Sequence, residues 1–329
     1  MKSLIRRSST LLVAGLLVAA SPVVSAMAQS ETDYPNRAVT MLLPFAPGGS
    51  TDPLARVVAQ YLSESMGQPV VVDNRPGGGT VIGTDAAAKS APDGYTMLYT
   101  ASTHVINELL MEDLPYDSFN DFEPVATITR SDFVLVVHPD VPANTLEEFI
   151  ELAKNDPDGI NYAISGVGNP NQLAGEYFSM LTGANLNSVA YQGGGPGIVD
   201  LLGGHVQAMF SVPTSVIEHV KAGTLRALAH TSSKPLPGLE VPTFADAGLP
   251  EFDIASWNGI FVPADTPRPI IDKLSAEIGK VLEHPEVIDR LASQGQQPWY
   301  TNADDFEAHL QGDIETFGSI IEAANITLE

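Results

Sequence analysis

Cysteine is absent from the 329 residues, which excludes disulfides, thiolate nucleophiles and Cys-ligated metal centres. Basic residues are scarce: 16 lysines and arginines stand against 40 aspartates and glutamates, for a net charge of −24. Such a chain repels nucleic acid and anionic membrane surfaces, and a saline habitat is the plain explanation of its acidity. Beyond the N-terminus no apolar run approaches the roughly 18 residues of a membrane span. Enzyme signatures are missing as well. The histidines His104, His138, His205, His219, His230, His284 and His309 form neither H-E-x-x-H nor a close ligand pair. No G-x-S-x-G elbow occurs: Ser50 is trailed by Thr51-Asp52, and Ser165 follows Ala163-Ile164. The P-loop and G-x-G-x-x-G patterns are absent, no lysine lies in a glycine turn, and no D-x-D-x-D-G string appears. Neither a cofactor nor a metal is expected.

The first 28 residues stand apart. Lys2, Arg6 and Arg7 precede the apolar stretch LLVAGLLVAA, and Ala26-Met27-Ala28 offers a cleavage site before Gln29. This predicts a secretory signal peptide, by the general or the twin-arginine route, and export to a bacterial periplasm. The cleavage point has no cysteine, so no lipid anchor is expected. Removing three basic residues takes the net charge from −24 to −27 and leaves 301 residues, enough for two domains.

Strand-like runs alternate with helical periods along the mature chain: AVTMLLP (38–44), PVVVDN (69–74), YTMLYTAS (95–102), FVLVVHP (133–139) and INYAISG (160–166) each precede a helical segment. Further strands are expected in LNSVAYQ, VQAMFS, LRALAHTS and GIFVPA. Repeated β-then-α units predict an α/β fold with largely parallel sheets. Thr145-x-x-Glu148 is a capping box. Thr266-Pro267 and Thr301-x-x-Asp304 predict the starts of two C-terminal helices, the second presenting Phe306, Leu310, Ile314, Phe317 and Ile321 along one face. No linker divides the chain, so two lobes with more than one crossing are expected, at 123–131 and 252–262.

Glycine-rich turns remain at strand-to-helix junctions: Gly48-Gly49, Gly77-Gly78-Gly79, Gly193-Gly194-Gly195 and Gly166-x-Gly168. A helix N-terminus presents unpaired N–H groups and a partial positive charge, and glycine lets a ligand come close to them. Ordinary tight turns are the alternative. Several such donors converging could hold a carboxylate without a side-chain cation, against the field of an acidic chain.

Long stretches carry a family resemblance: YPNRAVTMLLPFAPGGSTDPLAR (34–56), GQPVVVDNRPGGGTVIGTDAAAKSAPDGYTML (67–98), LPYDSFNDFEPVA (114–126), VVHPDVP (136–142), VAYQGGGPGIVDLLGGHVQAMF (189–210), KAGTLRALAHTS (221–232) and VPTFADAGLPEF (241–252). The chain resembles the extracytoplasmic solute-binding receptors of tripartite tricarboxylate transporters, the TctC or Bug family. The resemblance implies a periplasmic-binding-protein-like fold of two α/β lobes, 29–130 plus 254–329 and 131–253, joined by crossover strands around a ligand cleft. It implies a monomer, not an enzyme, that takes a di-, tri- or aromatic carboxylate and delivers it to membrane permease subunits. Two loops would pinch the carboxylate with backbone amides and waters. One holds Phe45, Ala46, Pro47, Gly48, Gly49, Ser50 and Asp52, the other Tyr191, Gln192, Gly193 and Gly194. Ser102, Thr103 and His104, the loop of Ser165, Gly166, Gly168 and Asn169 that runs on to Asn171, and Ser211 match further pocket positions. Gln192 and Ser211 replace a lysine and an aspartate frequent in the family, and Ser211 argues against an amino-acid ligand. Asp52 is read equally as a helix cap or a ligand contact, and Phe45 and Trp257 as core rather than as flanks of an aromatic ring. A periplasmic sensor is the rival reading, and a hydrolase using Ser165 or Ser50 a weaker one.

Overall fold

In the structure, a computed structural model, residues 34–48, 51–232, 236, 238–293 and 296–327 are described. The expected signal peptide lies outside them. Two mixed sheets organise the chain. In the first, β1 (Val39–Leu43), β2 (Val70–Asn74) and β3 (Thr96–Ala101) are parallel, linked by α1 (Thr51–Met66) and α2 (Val81–Ala88). Strands β1 and β3 are mostly buried, as strands covered on both faces require, whereas the edge strand β2 buries only Val70. After α3 (Thr103–Leu110), β4 (Phe122–Asp132) runs out of this sheet, and one residue later β5 (Val134–Val137) begins the second.

The second sheet adds α4 (Leu146–Asn155), β6 (Ile160–Ile164), α5 (Pro170–Thr182), β7 (Leu186–Ala190), α6 (Gly194–Leu202), β8 (Ala208–Ser211), α7 (Pro213–Lys221) and β9 (Arg226–His230). The chain then returns as β10 (Ala255–Pro263), followed by α8 (Arg268–Leu282), α9 (Pro285–Ala292), β11 (Gln297–Pro298) and α10 (Ala303–Ala324). Strand order is β11-β4-β10-β3-β1-β2 in one sheet and β7-β6-β8-β5-β9 in the other.

The parallel expectation holds for β1–β3 and for β6–β8, but β10 is antiparallel to both neighbours and β5 to both of its own. Strands that arrive from the other sheet need no helical crossover, so they enter in the opposite sense. The first crossing lies later than expected and the second no later than the start of its expected segment. Segments 123–131 and 255–262 pair with each other inside the first sheet, and the chain changes sheet just beyond, at Phe133 and ahead of Ala255.

One apolar cluster runs through both sheets, from Leu42, Leu98, Phe261 and Phe306 to Leu135, Tyr162, Phe178 and Phe210. Each fully buried phenylalanine contributes about 1.5–3 kcal/mol. Helix α10 packs on α5, fastening the sheets along one side. Close approach of α5 to β6 depends on Gly175, where a Cβ would lie 2.3 Å from the Tyr162 ring.

The helix starts differ in detail. Thr145 caps α4 as expected, accepting the Glu148 N–H, but the Glu148 carboxylate takes the N–H of Asn144 rather than that of Thr145. Helix α8 begins after Pro267, and the Thr266 hydroxyl donates to the Pro263 carbonyl at 2.6 Å instead of capping. Asn302, not Thr301, caps α10: the Thr301 hydroxyl lies 3.0 Å from the Thr127 hydroxyl of β4, to which the Thr301 N–H also donates at 2.8 Å.

Candidate functional site

Strand β4 runs parallel to β3 and passes almost directly into β5, which is antiparallel to β8. The carboxyl ends of β1–β3 and of β6–β8 therefore both face the crossover. Open α/β sheets receive ligands at this end. The loops carrying the expected residues leave from it: 44–48 after β1, Ser102 after β3, 165–169 after β6, 191–193 after β7, and Ser211 at the end of β8.

The first loop is held from behind by Asp52, which is buried in the first turn of α1. Its Oδ2 accepts the Gly48 N–H and the Arg56 Nε–H, both at 3.1 Å. Its Oδ1 lies 2.9 Å from both Arg56 Nη2 and Asn74 Nδ2. Asn74 also donates to the Phe45 carbonyl at 3.1 Å and accepts from Arg56 at 2.8 Å. The Arg56 hydrogen bond holds the Asp52 carboxyl below its usual range, with Asn74 and the Gly48 amide assisting against desolvation. Asp52 thus reaches back to the loop as neither an N-cap nor an open anion. The Gly48 N–H, expected among the donors, is committed to it. Phe45 is half-buried, and Ala46, Pro47 and Gly48 are exposed. Gly49 and Ser50 lie outside the described residues.

The second and third loops are tied together. The Gly193 N–H donates to the Ser165 carbonyl at 3.2 Å, and the Tyr191 N–H to the Ile164 carbonyl at 2.9 Å. Helix α6 opens on Gly194 and Gly195 with no side-chain cap, and Pro196 has no N–H to offer. Gly194 and Gly195 are its terminal donors. No atom lies within 4 Å of where a Cβ on Gly193 or Gly195 would stand. The Tyr191 hydroxyl donates to Asp200 at 2.7 Å, and desolvation together with that carboxylate pushes its pKa up to about 12. Gln192 is exposed.

In the third loop the Ser165 N–H donates to Asn171 Oδ1 (3.1 Å) and the Gly168 N–H to Gln172 Oε1 (2.8 Å). Asn169 caps α5, and Gly166 lies in open space at φ 143°. Asn171 Nδ2 is buried without a partner. Among the described residues no histidine bonds the Ser165 hydroxyl, the pairing a serine hydrolase needs.

Ser102 is fully buried at the floor, its N–H on the Trp257 carbonyl and its hydroxyl 3.2 Å from that of Ser256. Ser256 is the hydroxyl that sequence reasoning missed, since nothing local marks it. The Thr103 hydroxyl is buried and unpartnered. His104 belongs to the core: Phe122 and Phe261 pack at 5.2 and 4.6 Å, and its Nε2–H donates to the Ser118 carbonyl at 3.0 Å. Burial pushes its pKa down to about 4, so the ring is neutral. Ser211 is buried, its hydroxyl 3.4 Å from the Val212 carbonyl.

Apart from the paired Asp52, these loop segments contain no aspartate, glutamate, lysine or arginine. Their chemistry is that of neutral donors: amides, hydroxyls and carboxamides. Two cavities, of about 520 and 460 Å³, lie away from these loops and share Arg130, which bridges Asp132 and Asp253. The second contains Asp313, which accepts the Trp257 indole N–H at 2.6 Å and whose pKa burial raises to about 7. Among the described residues no group of three or more His, Asp or Glu could hold a metal.

The comparisons bear on the family and the fold. A family model described as "Tripartite tricarboxylate transporter family receptor" matches residues 54–326. Protein BugT of Bordetella pertussis is 37% identical over 322 residues, covering 97% of this chain and 98% of its own length. The solved structure of R. palustris Rpa4515 with adipate shares 33% identity at a TM-score of 0.73, covering 90% of this chain and 99% of that one. MatC from Rhodopseudomonas palustris, with bound malate, shares 29% identity at 0.69, covering 88% and 100%. By its family match and its similarity over nearly the whole length of BugT, this chain belongs to the tripartite tricarboxylate transporter receptor family, with the α/β fold of periplasmic binding proteins.

Proposed function

We propose that the exported chain captures a small organic carboxylate in the periplasm, between lobes 29–130 plus 254–329 and 131–253, and delivers it to membrane permease subunits. It acts as a monomer and performs no catalysis. The observation that carries this reading is the neutral, donor-rich lining of the loops at the carboxyl ends of both parallel strand sets. Arg56, the cation behind the first loop, is already balanced by Asp52. An anion entering there meets amides and hydroxyls, not the acidic surface of the rest of the chain. Micromolar affinity requires about −8 kcal/mol. Hydrogen bonds to a charged group are worth about 1.5–3 kcal/mol each, so three to five of them suffice before ordering costs. Closure follows if one lobe's donors engage the solute first and the other's stabilise the closed state. Relatives holding adipate and malate support the ligand class.

Titration calorimetry against di-, tri- and aromatic carboxylates, with sugars and amines as controls, tests the proposal. Binding of at least one carboxylate, with no response to the controls, is expected. A sugar or a cation as sole binder would overturn it.

A further inference from the structure

We infer that Asp52, Arg56 and Asn74 form a clasp that positions the first loop, and that Asp52 acts on this loop rather than on the solute. The inference rests on the carboxylate-receptor reading for its functional consequence, but the clasp itself is visible without a ligand. A carboxylate offers about four acceptor sites. Those of Asp52 are taken by the Gly48 N–H, by Arg56 through two nitrogens, and by Asn74. No acceptor is left for a solute proton, and a second anion would be repelled.

The three residues come from different places. Asp52 and Arg56 are one turn apart on α1, and Asn74 is the last residue of β2. Asn74 cannot be flipped without loss. Its Oδ1 faces the guanidinium at 2.8 Å, and its Nδ2 serves both Asp52 and the Phe45 carbonyl. The clasp therefore grips the loop twice, at Phe45 O and at Gly48 N, and ties it to a helix and a strand. Gly48 sits at φ 78°, and among the described residues nothing lies within 4 Å of where its Cβ would stand, so no side-chain contact at that point fixes it. The hydrogen bond from its N–H to Asp52 does.

The charges make the clasp testable from two directions. Arg56→Gln leaves a buried carboxylate uncompensated behind the loop, whereas Asp52→Asn frees a guanidinium whose side chain is already 52% exposed. If the clasp works as inferred, Arg56→Gln weakens carboxylate binding by tenfold or more, and the Asp52→Asn/Arg56→Gln double variant recovers part of that loss. Asn74→Ala weakens binding about fivefold with little change in melting temperature. Arg37→Gln, the same charge change at the exposed Arg37–Asp93 pair, leaves affinity unchanged.

The experiment is calorimetry with adipate and malate on these variants, paired with amide hydrogen exchange of unliganded protein over 45–48. Faster exchange there in Arg56→Gln and Asn74→Ala is expected whether or not any solute binds. Unchanged exchange in both variants would overturn the clasp. Loss of binding in Asp52→Asn alone, with Arg56→Gln and Asn74→Ala binding as wild type, would show instead that Asp52 touches the solute. A wild type that binds no carboxylate, yet loosens at 45–48 on substitution, would refute the receptor reading and leave the clasp standing.

Discussion

Replacing Gly195 by alanine separates a binding role from a structural one. Gly195 is the second residue of α6, it has no positive φ, and nothing lies within 4 Å of the methyl group it would gain. Alanine there costs no strain and removes backbone freedom from the unfolded chain, so stability rises by about 0.5–1 kcal/mol. At roughly 2.1 cal/mol/K of unfolding entropy per residue, a chain this size gains about 1 °C in Tm. On the proposed reading the solute sits on the two terminal donors of the helix, so a methyl group on the residue that carries one of them crowds it. Losing one charge-assisted hydrogen bond costs about 1.5–3 kcal/mol, a 10- to 150-fold loss of affinity. Melting and calorimetry on one preparation should therefore move in opposite directions. Gly193→Ala, at φ 103°, should lower both stability and affinity, because an L-residue is strained there. Wild-type affinity in Gly195→Ala would refute the assignment of the α6 N-terminus to the solute.

Other predictions follow from the core and the rim. The raised pKa of Asp313, from 3.8 to about 7, means its stabilising contribution is full below 3.8 and is lost as pH rises through 7. Asp313→Asn should thus gain about 4 kcal/mol over wild type at pH 8 and nothing at pH 4, read by urea melts. The comparison must be between variants, because burial of neighbouring His309 lowers its pKa to about 4 and makes wild-type stability fall with acidity over the same range. Gly175→Ala should destabilise by at least 1–3 kcal/mol, since its methyl group would overlap the Tyr162 ring, and thermal melting checks this. Val199 on α6 and Ile82 on α2 are 66% and 58% exposed. Val199→Asp and Ile82→Asp should leave calorimetric solute affinity unchanged while lowering cellular uptake severalfold, if a permease docks on these helices.

Much of the architecture was legible because its signals are local. Strands β1, β3 and β6 read as apolar runs closed by a turn, and the Thr145 cap follows from residues three apart. The less legible features depend on distant partners. Strand β4 looked like a crossing because nothing in EPVATITRS discloses that β10 pairs with it across more than a hundred residues. Thr301 has the composition of a cap but is claimed by Thr127. Asp52 could be narrowed only to cap or contact, since Asn74, which fixes its role, lies on another strand. His104 sits among pocket-like neighbours in sequence, yet its ring fills an aromatic cage that only the tertiary structure assembles.

The central claim is that neutral donors at the carboxyl ends of the two strand sets hold a carboxylate. A crystal structure of protein purified without refolding, soaked or carried over with a bound carboxylate, tests it most directly. The account predicts carboxylate oxygens at about 2.7–3.1 Å from amide donors at the start of α6, facing the first loop, with no lysine or arginine in contact. A solute seated instead against Arg130, or gripped by Arg56 released from Asp52, would contradict it.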